Sequence, residues 1–486
     1  MRRLTLPVSI LLCTLFAPAA FGQQITDALR VSRPGLHYNA KALGMGNAYS
    51  TLGYDFSALL FNPATMAASD KFSWTVTANA NAFRSSTDYY GNKTDFTTSN
   101  MSGDQTGLTM PFRLDSTRAL VIGLGYTQST DYNHGFKYLG LNGGSEFPSF
   151  IQVLAGRDDP TSRALGLSYP AFDGSGNPLG DQTVLSDSLF EGGYLLGEGG
   201  MSHYSVGAAV EAAENVFFGV SASYNSGHYT SDLELNANDI NDVYPVGTQT
   251  VPGDPSTDGF ESATVRNVRD KEYRGWDARF GVMYRIHNFI GVSASFDLPS
   301  AHKVTEESFV SGSSEFAAGS FVAPETRTVT TYHFKPPAEM TVGAMVNMWI
   351  ITGTAQATFV DYAAMKLTSG ASSVSEQTRI NKDIRDQLQS VVNLNVGAEV
   401  RLPFTGLSAR AGALYHPSPY AADSSRFAQK AVTLGFGINS SDMLQFDIGY
   451  GYSWRGENKN QQTGEPLNTD EKNGYHTALF TMRVSF

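Results

Sequence analysis

The stretch "LQFDIGYGYSW", residues 444–454, alternates without a break. Leu444, Phe446, Ile448, Tyr450, Tyr452 and Trp454 fall on one face, and Gln445, Asp447, Gly449, Gly451 and Ser453 on the other. A period of two is that of a β-strand with one apolar face. The same pattern sets Val432, Leu434, Phe436 and Ile438 against Thr433, Gly435 and Gly437, and it runs again through "VNLNVGAEVRL", 392–402. A soluble sandwich alternates too, so a single segment settles nothing. The number of segments does. Fourteen recur, near 71–90, 105–113, 118–130, 201–213, 215–230, 273–287, 289–299, 337–348, 350–367, 390–402, 407–417, 430–439, 443–456 and 474–486. Most reach the roughly 9–11 residues that a tilted membrane strand needs.

The connections alternate as well. The short turns "DSTR", "AEN", "HN" and "NSSD" follow even-numbered segments. The long stretches 91–104, 131–200, 231–272, 300–336, 368–389, 418–429 and 457–473, read as loops, follow odd ones. An even strand count, with short turns on one side and long loops on the other, is the pattern of a bacterial outer-membrane barrel. The predicted outer aromatic girdle is Tyr126, Tyr224, Trp276 and Trp454, and the inner one Phe218, Phe446 and Phe486. Composition agrees: charged residues are 16%, against about 25% in soluble domains. The net charge of −12 excludes a nucleic-acid partner, whose phosphates would repel it.

Residues 1–22 read as a signal peptide, with Arg2 and Arg3 before an apolar run and small residues near a cut at Gly22/Gln23. The single cysteine, Cys13, lies inside that leader, so the mature chain is predicted to have neither disulfide nor thiolate chemistry. Residues 71–486 are read as the barrel, and 23–70 as something else. "DALRVSRPGLHYNAKALGMGNAYSTLGYDFSALLFNPATMA" mixes short helical turns with glycines and is too apolar for a free tail. A fourteen-stranded barrel is too wide for its side chains to fill. The segment is therefore expected to sit in the lumen as a partly helical hatch, with Asn62-Pro63 fixing the bend towards the wall.

Within it, "AKALGMGNAYSTLGYDFSALLFNPATMA", residues 40–67, resembles the N-terminal hatch signature of the FadL family, outer-membrane transporters of long-chain fatty acids and other hydrophobic compounds. The resemblance implies a fourteen-stranded antiparallel outer-membrane β-barrel plugged by a hatch, with Gly44, Gly46, Asn62, Pro63 and Ala64 as the hatch motif. It also implies passive uptake: capture by outer loops, a pocket above the hatch, and sideways exit through the wall. Thr65 and Met66 depart from the family, where Gly and a large apolar residue usually follow the motif. Barrels of this superfamily that serve a secretion machine as adaptors carry the same signature, so it does not separate the two roles.

Phe147, Phe150, Ile151 and Leu154 recur at helical spacing in the longest loop. They are a candidate ligand-capture patch, or else a small loop core against "SLFEGGYLLG", 188–197. The echo "GVSAS", at 219–223 and 291–295, lacks the last glycine of a nucleophile elbow, so Ser221, Ser223, Ser293 and Ser295 are read as lumen lining. "DGSGNPLGD" offers loop oxygens but not the closing Glu of a calcium loop. No catalytic residue, metal or cofactor is read. The expected partners are a hydrophobic small molecule and outer-membrane lipid or lipopolysaccharide, met by a monomer. Two lumen pairs follow from the spacing of the turns: Glu399 with Arg410, and Arg279 with Asp297.

Overall fold

The computed structural model describes residues 21–33, 35–113, 119–143, 148–157, 159–186, 188–286, 289–371, 373–441, 443–459 and 469–486. Residues 1–20, which hold most of the expected signal peptide, the expected turns at 115–118 and 287–288, and Phe147 lie outside these.

Fourteen antiparallel strands close into one barrel. They are β1 (Ser73–Tyr89), β2 (Asn92–Arg113), β3 (Ala119–Asp131), β4 (Phe190–Ala213), β5 (Val216–Asn238), β6 (Phe260–Ile286) and β7 (Ile290–Pro299). The second half is β8 (Glu339–Met348), β9 (Ile351–Asp361), β10 (Ser390–Arg401), β11 (Leu407–His416), β12 (Gln429–Asn439), β13 (Leu444–Lys459) and β14 (Thr469–Ser485). Each pairs with its sequence neighbours, and the ring is sealed by β1 against β14, from Ser73↔Ser485 to Asp88↔Asp470. Closure removes the free edges that a sheet in lipid cannot tolerate.

The outward face carries an unbroken apolar band. Leu124, Val206, Val220, Phe280, Val292, Val342, Phe359, Leu394, Leu434, Ile448 and Phe480 are all exposed. An apolar surface that encircles a closed barrel is a lipid-facing surface. At its loop end four aromatics stand in one register row across β3 to β6: Tyr126↔Tyr204, Tyr204↔Tyr224 and Tyr224↔Trp276. Their rings follow one another at 5.3, 6.4 and 4.9 Å. Tyr204 thus joins the predicted girdle. Among the described residues no helix is long and apolar enough to cross a membrane; the crossing is made by strands.

The long connections are not the plain loops expected. Residues 92–104 continue β2 as a hairpin with β1, and β5 and β6 pair far beyond the aromatic row, as far as Asn238↔Ser262. The stretch 300–336 is a hairpin of its own, His302–Phe316 with Gly319–Lys335, laid along the outer half of β6. Alternating burial continues there because the outer domain packs its own apolar core. The stretch 131–200 adds α4 (Phe150–Gly156) and α5 (Pro160–Ala164), and 368–389 adds α6 (Val374–Gln387).

Phe150 and Ile151 are fully buried and Leu154 nearly so, in a core with Leu185, Leu189 and Leu195. They therefore present no open surface patch; the loop-core alternative describes where they sit. The physical reason is local. Ser149 and Gln152 form a capping box that starts α4, and the Glu191 carboxylate accepts the Phe150 N–H at 3.1 Å. Both contacts pin that face of the helix inward.

Candidate functional site

The described residues before β1 lie inside the barrel. α1 (Phe21–Ser32), α2 (Ala40–Gly44), α3 (Ala58–Phe61) and a 3₁₀ turn (Pro63–Ala68) are linked by a chain whose side chains from Ala40 to Ala64 are almost all buried. Asn39 ties the segment to itself: its Oδ1 caps α2 at Ala42 N (2.6 Å), and its Nδ2 reaches Ser57 Oγ (2.7 Å) and Asp55 (3.2 Å). Tyr49 donates to the same Asp55 carboxylate. The sequence reading missed this hub, though Asn before a short helical turn is a capping signal.

The wall receives the segment through glycine. Gly44 lies against Gly435 of β12 so closely that a Cβ on either would meet the other's Cα at 2.9–3.0 Å. Gly46, at φ +61°, fits under the backbone of β10 and β11, where Asn395 donates to its carbonyl at 2.7 Å. On the other side Gly219 and Gly281, register partners on β5 and β6, make room for Asn62, Pro63 and Ala64. Gly107, Gly343 and Gly449 do the same for Phe56, Ser50 and Ala40. The signal was in the sequence: glycine recurs on the polar face of strand after strand.

Asn62 joins two helical pieces. Its side-chain oxygen caps the 3₁₀ turn at Ala64 N (3.1 Å), and its amide nitrogen donates to Val282 O of β6 (3.2 Å) and Ala294 O of β7 (3.5 Å). Pro63 opens the turn, where no N–H is needed. Thr65, a departure from the family pattern, bonds back to the Asn62 carbonyl at 2.9 Å. Ser221 and Ser295 donate to the carbonyls of Leu59 and Phe61, so the serines of the repeated "GVSAS" line the lumen and grip the segment.

Both charge pairs form. Arg410 bridges Glu399 and Asp447 at 2.6 Å each, and Arg279 meets Asp297 at 2.5 Å. Their registers are those the turns imply. Among the described residues no cluster of His, Cys, Asp and Glu is placed to hold a metal. Asp173 of "DGSGNPLGD" instead closes its own turn onto the N–H groups of Ser175 and Asn177.

At the loop end α1 is fastened by a buried carboxylate. Asp27 accepts from Lys271 (2.7 Å), Tyr273 (3.0 Å), Tyr332 (2.6 Å) and Arg30 (2.5 Å), and the Arg30 guanidinium lies 3.7 Å above the Tyr229 ring. Burial opposes the charge on Asp27, but Lys271 and Arg30 outweigh it and hold the carboxyl below its ordinary pKa.

Between α1, the loops and the wall lies a cavity of about 850 Å³. Leu29, Leu36, Phe83, Tyr132, Tyr420 and Tyr475 supply its apolar lining. Arg33 and Arg455 face it too. Among the described residues the Arg33 guanidinium donates no hydrogen bond, and burial, together with the charge of Arg455, lowers its pKa. Beside the cavity the wall is discontinuous. β2 and β3 pair only as far as Gln105↔Thr127; above that point β2 stays with β1, while β3 shifts register against β4. The His37 N–H bonds the Ser129 carbonyl in this gap (3.2 Å). A second cavity of about 720 Å³ shares Thr98, Asn100 and Asn133 with the first and includes the outward-facing Gln128 and Tyr204.

These features define a class: a fourteen-stranded membrane barrel whose lumen is occupied by its own N-terminal segment, with a chamber on the loop side. Solved structures share the fold. The toluene transporter TodX of Pseudomonas putida matches at a TM-score of 0.54 and 13% identity, over 93% of this chain and 99% of that one. A Pseudomonas aeruginosa FadL homologue matches at 0.52 and 13%, with the same coverage, and a TodX deletion mutant, described as a monoaromatic hydrocarbon channel, at 0.55 and 14%. No family model and no curated protein matches the sequence.

Proposed function

We propose that this protein is a monomeric outer-membrane channel for passive uptake of hydrophobic molecules, with residues 23–70 as its hatch. The observation that carries the reading is the roughly 850 Å³ chamber set directly over a buried plug. An apolar solute gains about 25 cal/mol per Å² hidden from water, and the leucine and aromatic side of the chamber offers that cover beside a side lined by arginines and by Asp131, Asp386, Asp423 and Glu457. Two structures that share the fold, a toluene transporter and a monoaromatic hydrocarbon channel, support the same direction. The ligand leaves sideways through the gap between β2 and β3, where the two cavities share lining residues.

Arg33 and Arg455 narrow the ligand to an amphiphile whose anionic head, the carboxylate of a long-chain fatty acid, meets two guanidiniums while its tail meets the aromatic lining. Calorimetry with oleate and with toluene tests this. Arg33→Gln is expected to weaken oleate about tenfold, the cost of one charge-assisted hydrogen bond, and to leave toluene unchanged. Equal loss for both ligands removes the head-group assignment. Failure of the wild type to bind either ligand, with a protein partner co-purifying instead, replaces transport with the adaptor role.

A further inference from the structure

On the outward face, just beyond the apolar band at the loop end, the register sets cations directly opposite one another. Lys303 faces Arg274 on one side and His333 on the other. Two positions further along the strand from His333, Lys335 faces Lys366. The alternate residues His302, Val304, Tyr332 and Phe334 are buried, so all five cationic or titratable groups point away from the lumen. Directly opposed like charges destabilise a strand pair. The chain as a whole carries −12, so this row runs against its overall balance.

One nearby acid enters the row, and only at Arg274. Glu272 holds Arg274 at 2.8 Å, the Ser369 hydroxyl meets His333 at 2.9 Å, and the Asp361 carboxylate accepts from Ser390. Lys303, Lys335 and Lys366 are exposed and make neither ion pair nor hydrogen bond among the described residues. On the membrane side of them Leu298, Met340 and Phe359 are exposed apolar groups. A row of free ammonium groups above a hydrocarbon surface matches one kind of molecule, a lipid with acyl chains below and phosphate at the interface.

We infer that this rim binds the phosphates of a phosphorylated lipid of the outer leaflet, with Lys303, Lys335 and Lys366 as its anion contacts. The occupant relieves the opposed pair Lys335 and Lys366, neutralises Lys303, and fixes the outer hairpin to the membrane surface. Diphosphoryl lipid A and its dephosphorylated form, each in mixed micelles with the full-length mature protein, are the probes, read by native mass spectrometry. The wild type is expected to retain the phosphorylated form selectively. The triple variant K303Q/K335Q/K366Q should lose about a hundredfold in affinity, since each cation at an anionic lipid surface contributes roughly a fivefold factor. The K303R/K335R/K366R variant should keep it. Equal retention of the two lipids by the wild type overturns the proposal, and this comparison stands even if the triple variant does not fold. Displacement of the lipid by an equal concentration of inorganic phosphate also overturns it, because the site would then take a free anion.

Discussion

Asn62 and Gly281 make one contact between them, and it can be broken from either side. A Cβ on Gly281 would lie 1.9 Å from Asn62 Oδ1, and Asn62 cannot yield because its side chain is buried and bonded to three backbone groups. Gly281→Ala and Asn62→Ala are therefore expected to act alike. Each loosens the hatch by about 1–2 kcal/mol, the scale of a lost cap, while leaving the strands paired. Gly353→Ala is the control, since a Cβ there meets nothing within 4 Å. Planar-bilayer recordings should show added open events for the first two and none for the third; open events in the control would mean that wall glycines do not seat the hatch. Asp27 gives a pH dependence of known sign. Its folded pKa is depressed, so its contribution is complete above the unfolded value near 4 and is lost as pH falls through the lower folded value. Hydrogen exchange of α1 should accelerate in acid below about pH 4. Asp27→Asn should cost about 3 kcal/mol at neutral pH and flatten that acid response, because it strands Lys271 with only Glu306. An unchanged acid profile in the variant would place the titration elsewhere.

At the scale of elements, α4 and the N-terminal segment show what apolar sequence outside the strands is for. Phe150, Ile151 and Leu154 bury one face of α4 in the outer core. Phe150→Ala should cost about 3–5 kcal/mol within that core and expose the outer loops to protease, with ligand affinity little changed. An affinity loss without new cleavage would restore the capture-patch role. The N-terminal segment works differently. Its helices are too short to persist alone, and they hold because the wall supplies partners: Thr433 and Asn395 to Gly46, Gln356 to Ser50, Thr481 to Ala40. The segment is stable only where the barrel encloses it.

For the whole molecule, strand pairing and lumen filling are separable. The barrel closes through β1 and β14, and neither needs residues 27–60 for its ladder. Deleting 27–60 should leave a heat-modifiable barrel that inserts into bilayers, while small-ion conductance rises, because an unplugged lumen of this width is wet. Conductance equal to the wild type would show that the N-terminal segment is not the seal.

The alternation of residues such as Phe446, Ile448 and Tyr450 was enough to place all fourteen strands, because lipid on one face and lumen on the other impose a period of two that local sequence must obey. The turn lengths were enough to pair Glu399 with Arg410. The outer strand extensions escaped because residues such as Thr97 and Asn100 carry no lipid-facing apolar side, so their alternation is weak. The site escaped for a different reason. Asp27 meets Lys271 and Tyr332, Arg33 shares a cavity with Arg455, and Asn62 reaches Val282, all contacts between residues more than two hundred positions apart. Local periodicity fixes which way a side chain points from its own strand. Only closure of the barrel around its own N-terminus decides what that side chain meets.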